Sequence, residues 1–313
     1  YALAQETFGK LKAAPVPERK MPVEQPLTEN RKLTVSGPEA AHTRLGWRIE
    51  RTPRNGALVT LIARLLKDSG YGLLEQNLLR TQKLLGAGCH LRTGREYMLF
   101  LLDGSPRAGQ SLDEVSSLLL AELEKLRKGE YGDWRIGAVA ENCRVTIEEI
   151  REGDNMNLAW EFADLFVSGD SYAELLATPD RIAGFTKKDV TEFIEKYFKY
   201  HIRVDKTTGE PTNRVKVEKP KITPVALNSE KESEYSRAFL RLPPPPAIEP
   251  RFVDVAKDIS SVELPNGITV KRMNAVSGSN LFHAERVIDI STYENRKIEL
   301  AIDYLEYIGT SRY

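Results

Sequence analysis

The feature that most constrains this chain is a long stretch, residues 210–257, in which prolines recur and charges alternate. Proline fixes φ and removes a backbone donor, so such a stretch favours an extended connection over a packed core. The 313 residues are therefore predicted to form a first domain (1–205), an extended linker (206–258) and a shorter second unit (259–313).

The composition favours a folded globular chain, with 41% hydrophobic and 29% charged residues. Lys+Arg and Asp+Glu both number 45, and this balance argues against a nucleic-acid partner, which a basic excess would indicate. The sequence has no apolar run of the ~18 residues that a membrane-spanning helix needs. Cys89 and Cys143 are the only cysteines. They cannot build a disulfide scaffold, although one bridge between them stays open.

Hydrophobic periodicity predicts both helices and strands in the first unit. The clearest helix begins after Ser111, because Ser111 and Glu114 have capping-box spacing and leucines then recur every three or four residues. Other helices are predicted at 4–11, 55–68, 73–85, 134–151, 155–167 and 186–200. Strands are predicted at 33–35, 43–49, 97–102 and 201–206, with a break at 86–88 and a turn at 103–106. This order predicts an α+β fold with helices packed on one face of a mostly antiparallel sheet.

The second unit is predicted to be short. Strands are expected at 260–264, 268–272 and 281–290 around a Pro-Asn-Gly turn at 265–267, followed by a helix at 295–308. Three strands and one helix are marginal for independent stability, so this unit is interpreted as the truncated start of a further domain.

Three segments carry a family resemblance. Residues 263–270, Glu-Leu-Pro-Asn-Gly-Ile-Thr-Val, resemble the hairpin that opens domains of the pitrilysin/insulinase (inverzincin) zinc metallopeptidases. Residues 301–310 resemble the first helix of such a domain, and residues 185–198 resemble a helix near a domain's end. The chain is thus similar to an internal fragment of a bacterial two-half member. The resemblance implies the mitochondrial-processing-peptidase-like metallohydrolase fold, plus a truncated second copy.

The catalytic pattern of that family is not found in this chain. Inverzincins place two histidines at i and i+4 of a helix to bind zinc, and a glutamate between them activates water. No two histidines here are four residues apart; the four are His42, His90, His201 and His283. The slot that the resemblance makes equivalent is occupied by Asp303, Glu306 and Tyr307. A carboxylate and a phenol cannot replace two imidazoles, so we predict no catalytic or metal-binding residue, and zinc only in a full-length parent.

Other candidate groups are given structural interpretations. Cys89 and His90 are adjacent, and adjacent residues on a strand face opposite sides, so they would not act together; no third partner is visible. The acidic run Glu148, Glu149, Glu152 and Asp154 is interpreted as a solvated helix face. The glycines at 70–72 and 86–88 lack the Lys-Ser/Thr of a phosphate-binding loop.

Two functions follow from the resemblance. In the first, the chain is a non-catalytic portion of a zinc endopeptidase whose halves close around a peptide chamber, with peptide added at a sheet edge. In the second, the parent is a catalytically inactive binding or scaffold subunit that partners an active peptidase. An H-x-x-E-H pattern ahead of residue 1 would distinguish the first from the second. An unrelated Asp/Glu enzyme would need two converging carboxylates, and the sequence places no such pair.

The resemblance also implies partners and a compartment. The expected partners are the missing catalytic domain and second half of the same chain and a peptide substrate, while homo-oligomerisation stays open. Neither nucleic acid nor a membrane segment is expected. The resemblance favours a bacterial periplasm or cell envelope over the cytoplasm.

Overall fold

The computed structural model describes residues 2–12, 14, 15, 17, 24–68, 70–211, 218–221, 223, 224, 231–244, 249, 252–273, 281–287 and 291–308. The elements up to residue 208 are α1 (Ala2–Phe8), β1 (Arg31–Gly37), β2 (His42–Glu50), α2 (Pro53–Leu66), a π-helical segment (Glu75–Leu79), β3 (Gly86–Thr93), β4 (Tyr97–Ser105), α3 (Leu112–Arg127), α4 (Trp134–Glu152), α5 (Asn155–Ser168), α6 (Tyr172–Ala183), α7 (Lys187–Tyr197) and β5 (Ile202–Thr208). Later elements are α8 (Glu234–Leu240), α9 (Val255–Asp258), β6 (Ile259–Glu263), β7 (Thr269–Met273) and α10 (Lys297–Ile308).

Five strands form one sheet in the order β1-β5-β2-β4-β3. All neighbouring pairs are antiparallel except β1 and β5, which are parallel. Helices α2, α3 and α7 contact these strands, and α4 and α6 pack on α2. The predicted α+β architecture, with helices on a mostly antiparallel sheet, is confirmed.

The core lies between the sheet and its helices. Trp47 of β2 is buried and packs its ring against Phe100 and Phe198, with centroids 6.0 and 5.1 Å away. Helix α3 approaches β4 closely at Gly104, where an added Cβ would lie 2.5 Å from Cγ1 of Val115. A glycine is therefore needed at this point for the helix to pack on the strand.

Local capping explains why several predicted helices form where expected. Ser111 and Glu114 make a reciprocal capping box before α3, and Thr186 and Asp189 make another before α7. The side chain of Thr52 accepts a hydrogen bond from the amide of Asn55 at the start of α2. Each bond satisfies an amide that the helix itself leaves unpaired.

Three predictions in the first unit need correction. The helix expected at 73–85 forms only over 73–79, mostly as the π-helical segment, and the glycine break at 86–88 lies within β3. The turn expected at 103–106 begins too early, because β4 continues to Ser105. Cross-strand pairing explains both strand errors: Ala87 pairs with Gly104 and Gly88 with Asp103, so tertiary partners override the local turn preference of glycine.

Helix α6 was not predicted. It contains Pro179, and proline inside a helix removes a backbone donor and usually ends the pattern. Here Pro179 and Ile182 are buried, and α6 packs on α4 and α2. Tertiary burial therefore stabilises a helix that local sequence disfavours.

The later elements form few buried contacts. Strands β6 and β7 make a two-stranded hairpin, and the strand expected at 281–290 is absent over 281–287, while 288–290 lie outside the described residues. Helix α10 confirms the expected helix near 295–308. The predicted extended linker contains α8 and α9, neither of which has a buried residue. Among the described helices, none is both long and apolar enough to cross a membrane.

Candidate functional site

The face of the five-stranded sheet opposite the helices is the candidate site. Side chains alternate along each strand, so the neighbours of buried Leu45, Trp47 and Ile49 point away from the helices. Strand pairing carries this alternation across the sheet and defines what we call the uncovered face: Arg31, Leu33, Val35, Ile202, Val204, Lys206, His42, Arg44, Arg48, Glu50, Tyr97, Leu99, Leu101, Asp103, His90 and Arg92.

The uncovered face is basic although the chain as a whole is neutral. It carries five cations, Arg31, Arg44, Arg48, Arg92 and Lys206, and two carboxylates, Glu50 and Asp103, whereas the whole chain has a formal net charge of zero. Exposed apolar side chains lie among the cations on β1 and β5. A surface of this kind favours an acidic partner that also has apolar side chains.

Asp103 organises the charges in the middle of this face. Its carboxylate accepts a hydrogen bond from Nε of Arg44, and Nε2 of His90 lies 3.2 Å from its second oxygen. Loop carboxylates reach the face at two other points, where Glu24 pairs with Arg48 at 2.6 Å and Glu39 pairs with Lys206. Five cations then face four carboxylates, an excess of one positive charge, and Arg31 and Arg92 are the two cations not paired in this way.

The outer edge of β3 borders the uncovered face. The amide of Gly94 donates to the carbonyl of Tyr97 at 2.9 Å. In an antiparallel ladder, residues whose backbone groups bond to the partner strand alternate with residues whose backbone groups point away from it. Because Gly94 bonds to β4, the backbone groups of Cys89, Leu91 and Thr93 are the ones that point outward. Within the described part of the chain, no strand pairs with this edge. Such an edge can accept an added strand.

The sequence predicts peptide addition at a sheet edge, but it identifies neither the basic face nor β3 as that edge. The alternation of Arg44, Gly46 and Arg48 on β2 already indicates a polar face. His90 and Arg92 belong to the same face only once β3 is known to be a strand paired with β4. The charges become one surface through strand register, which the sequence pattern alone does not specify.

The predicted degenerate catalytic slot stays a prediction. Asp303 is exposed on α10, and the side chains of Glu306 and Tyr307 lie outside what the structure describes, as do residues 309 and 310. The structure therefore places the helix of this slot but not its full set of side chains.

Within the described residues, the four histidines contribute to no group that could hold a metal ion. His42 lies near the carbonyl of Ala40, and His90 pairs with Asp103. His201 is buried with its ring 5.4 Å from that of Trp47, and burial, with a smaller effect of Arg203, lowers its pKa. Over the described ranges, no three His, Cys, Asp or Glu side chains are grouped so that they could hold a metal ion. These residues do not fit a zinc site.

The remaining candidates are two cysteines and the acidic run of α4 and α5. Cys89 and Cys143 are both free thiols, and burial raises the pKa of each. In the acidic run, Glu148 pairs with Arg151 at 2.7 Å, and Asp154 caps α5. Neither thiol has the lowered pKa that a reactive cysteine needs.

We expect the purified 313-residue chain to contain far less than one zinc per molecule after dialysis, measured by elemental mass spectrometry. For the same reason, EDTA should leave its thermal midpoint unchanged, because a metal that binds only the folded state would raise it. A stoichiometric zinc content together with an EDTA-dependent midpoint would contradict this expectation.

Residues 1–142 match the sequence profile of the family described as peptidase M16 inactive domain. A protease from Helicobacter pylori shares the fold with a TM-score of 0.57 and 19% identity, over 66% of this chain and 51% of that one. The peptidase M16 inactive domain from Pseudomonas fluorescens aligns with a TM-score of 0.54 and 13% identity, over 69% of this chain and 52% of that one.

A third structure extends this pattern. The first half of the periplasmic protease PqqL from Escherichia coli aligns with a TM-score of 0.51 and 14% identity, over 66% of this chain and 48% of that one. The chain thus spans about half the length of these solved structures. Among curated protein sequences, none matches it significantly. The family profile over residues 1–142 and the shared fold confirm the resemblance of this chain to peptidase M16 inactive domains.

Proposed function

We propose that this chain supplies a non-catalytic wall of a peptide-binding chamber in a zinc endopeptidase. The observation that carries the proposal is the basic uncovered face, bordered by the open edge of β3. Zinc would be held by a catalytic domain elsewhere in the parent protein, since the described residues here do not fit it. The slot at Asp303, Glu306 and Tyr307 would be the inactive remnant of a repeat.

Peptide would bind in an extended conformation. Its backbone would pair with the outward groups of Leu91 and Thr93, while its acidic side chains on one side would lie near Arg92. Backbone pairing tolerates many sequences, whereas the cations select for negative charge. The domain would thereby hold substrate without performing chemistry.

We also propose a role for each of the three segments of the chain and a cellular location. Residues 1–205 would form the wall, 206–258 would join two halves and allow opening, and 259–313 would begin the next domain. One protein that shares this fold is periplasmic, which supports a periplasmic or envelope location for this chain.

We expect Arg92→Glu to weaken binding of a fluorescein-labelled, extended acidic peptide about tenfold, measured by fluorescence anisotropy at low salt. A tenfold loss in affinity corresponds to about 1.4 kcal/mol of binding free energy, which is the effect we expect from reversing one charge beside an acidic ligand. Arg95→Glu is the matched control, because Arg95 is exposed in the adjacent β3–β4 turn and the net charge changes equally. A basic peptide of the same length should not bind.

The backbone contribution is separated by a second pair of variants. Thr93→Pro removes one outward amide and should weaken the peptide more than Thr93→Ala, because proline is tolerated at a sheet edge but cannot donate. Equal affinities for all four variants would exclude this face as the peptide site. Peptide binding in a full-length protein that has no H-x-x-E-H pattern would instead support the scaffold-subunit function.

A further inference from the structure

A cavity of about 550 Å³ lies between helices α2, α4, α5 and α6 and the strands β3 and β4, and we call it the four-helix cavity. More of its wall is apolar than polar, and the larger apolar side chains are Leu91, Met98, Ile147, Ile150, Leu165 and Leu175. Pockets that hold small molecules have volumes of ~300–1,000 Å³ and mainly apolar walls with a few polar groups. The four-helix cavity is therefore large enough for a small organic molecule.

Charged side chains of both signs also line the four-helix cavity. The cations are Arg51, Arg64 and Arg181, and the carboxylates are Glu161, Asp164, Asp170 and Glu174. Two ion pairs form among them, because Nη2 of Arg51 contacts Asp170, and Nη1 of Arg181 lies 2.5 Å from Oε2 of Glu174. A wholly apolar ligand would remove water from these charges without replacing its hydrogen bonds, so the cavity favours a ligand with polar groups.

Two atoms of these ion pairs have unused hydrogen-bonding capacity. The side chain of Arg51 is only 10% exposed, and its Nη1 donates to the carbonyls of Gly94 and Arg95 at 3.1 and 3.2 Å. Nη2 of Arg51 and Oε2 of Glu174 are buried, and neither makes a hydrogen bond with any residue that the structure describes. Buried polar atoms usually have a hydrogen-bond partner, so these two indicate a ligand that supplies one acceptor and one donor.

The charges of these two anchoring side chains define the ligand further. The contact with Arg181 lowers the pKa of Glu174, so Glu174 is a carboxylate at neutral pH and favours an ammonium group. Arg51 favours a carboxylate. The two anchors are neighbours, because Asp170, which contacts Arg51, is only four residues from Glu174. A free α-amino acid carries an ammonium and a carboxylate on one carbon atom, and it therefore matches both anchors.

We propose that the four-helix cavity binds a free α-amino acid with a large apolar side chain. Its carboxylate accepts a hydrogen bond from Nη2 of Arg51, its ammonium donates to Oε2 of Glu174, and its side chain packs on the apolar wall. An organic anion would leave Oε2 without a donor and would face four carboxylates, whereas a simple cation would leave Nη2 without an acceptor. The inference does not depend on the proposed peptide wall, because this cavity lies among the helices and the peptide site lies on the uncovered face.

Isothermal titration calorimetry of the 313-residue chain with L-phenylalanine tests the proposal, and we expect saturable binding of one molecule per chain. N-acetyl-L-phenylalanine lacks the ammonium, and L-phenylalanine amide lacks the carboxylate. Each should bind at least about tenfold more weakly, because a hydrogen bond between charged groups is lost. Glycine should also bind more weakly, because it has no side chain to pack on the apolar wall. Heat that does not saturate up to about 10 mM L-phenylalanine, or equal affinity for the acetylated form, would overturn the proposal.

A pair of glutamate variants locates the site. Glu174→Gln should weaken L-phenylalanine binding at least about tenfold, because a neutral amide replaces the carboxylate. Glu141→Gln is the matched control, since Glu141 pairs with Arg144 three residues along α4 and does not line the cavity, and it should leave the affinity unchanged. Thermal midpoints establish that both variants fold, and L-phenylalanine should raise the midpoint of Glu141→Gln more than that of Glu174→Gln. Equal affinities of the two variants, or loss of binding in Arg92→Glu, would place the amino acid outside this cavity and overturn the inference.

Discussion

Replacing Trp47 with alanine is expected to destabilise the domain by about 3–5 kcal/mol, the usual cost of removing a buried tryptophan. Trp47 is 1% exposed and lies in the central strand β2. Its ring contacts those of Phe100, Phe198 and His201, which belong to β4, the end of α7 and the start of β5. The substitution therefore leaves a cavity where the sheet meets its helices.

The loss is measured by urea unfolding followed by circular dichroism at 222 nm. Trp47→Phe retains most of the ring packing and loses the indole hydrogen bond to the carbonyl of Phe198 at 3.3 Å, so it should cost much less than alanine. Trp160→Ala is the matched control, because the same residue type is removed from an exposed position. Similar destabilisation by Trp47→Ala and Trp160→Ala would show that Trp47 is not part of the core.

Helices with strong local signals could be predicted from the sequence. Helices α3 and α7 begin at capping boxes and carry apolar residues at helical spacing, so their ends are determined by neighbouring residues. Strand β2 was predicted for a similar reason, since alternate residues are apolar. In each case the local pattern and the final packing agree.

The elements that failed depend on distant partners. Strand β3 contains Gly86 and Gly88, which locally favour a break, yet eight consecutive residues pair with β4. Helix α6 contains Pro179 and forms because it packs on α2 and α4. These stabilising contacts come from residues far away in the chain, and a local pattern cannot include them.

The candidate site likewise has one feature that the sequence reveals and one that it does not. The lack of paired histidines could be recognised directly, because a zinc-binding helix needs two imidazoles at a fixed spacing. The basic face could not, because it combines Arg31, Arg44, Arg92 and Lys206 from four strands. Residues that a zinc site needs at fixed spacing can thus be sought in a sequence, whereas a surface assembled from several strands cannot.

Replacing Asp205 with alanine is expected to destabilise the domain by about 2 kcal/mol, because the nearly buried Arg203 loses both hydrogen bonds that it donates to Asp205 and keeps only its ion pair with the exposed Asp113. Both oxygens of Asp205 accept hydrogen bonds from Arg203, each at 2.7 Å, and one also accepts from the hydroxyl of Thr43 at 2.6 Å. Lys32 of β1 lies 3.2 Å away. The carboxylate therefore connects β1, β2 and β5 on the helix side of the sheet.

A double variant separates the loss of the Arg203–Asp205 pair from the cost of keeping the Arg203 guanidinium nearly buried. Arg203→Met/Asp205→Ala should be more stable than Asp205→Ala, because it also removes a nearly buried guanidinium whose only remaining partner is the exposed Asp113. Glu39→Ala is the surface control, since Glu39 is exposed and pairs with Lys206 on the uncovered face, and it should cost little. Equal stability of Asp205→Ala and Glu39→Ala would contradict a structural role for the buried pair.

The pH dependence follows from the same contacts. Burial alone would raise the pKa of Asp205, but hydrogen bonds from Arg203, Thr43 and Lys32 together outweigh it, so the pKa lies below its ordinary value. A carboxylate with a lowered pKa contributes stability above its unfolded pKa of ~3.9, and this contribution is lost as the pH falls through the folded value. The free-energy difference between the native chain and Asp205→Ala should therefore be largest near neutral pH and shrink below about pH 4. A difference that stays constant on acidification would mean that Asp205 stabilises the sheet by packing, with no contribution from its charge.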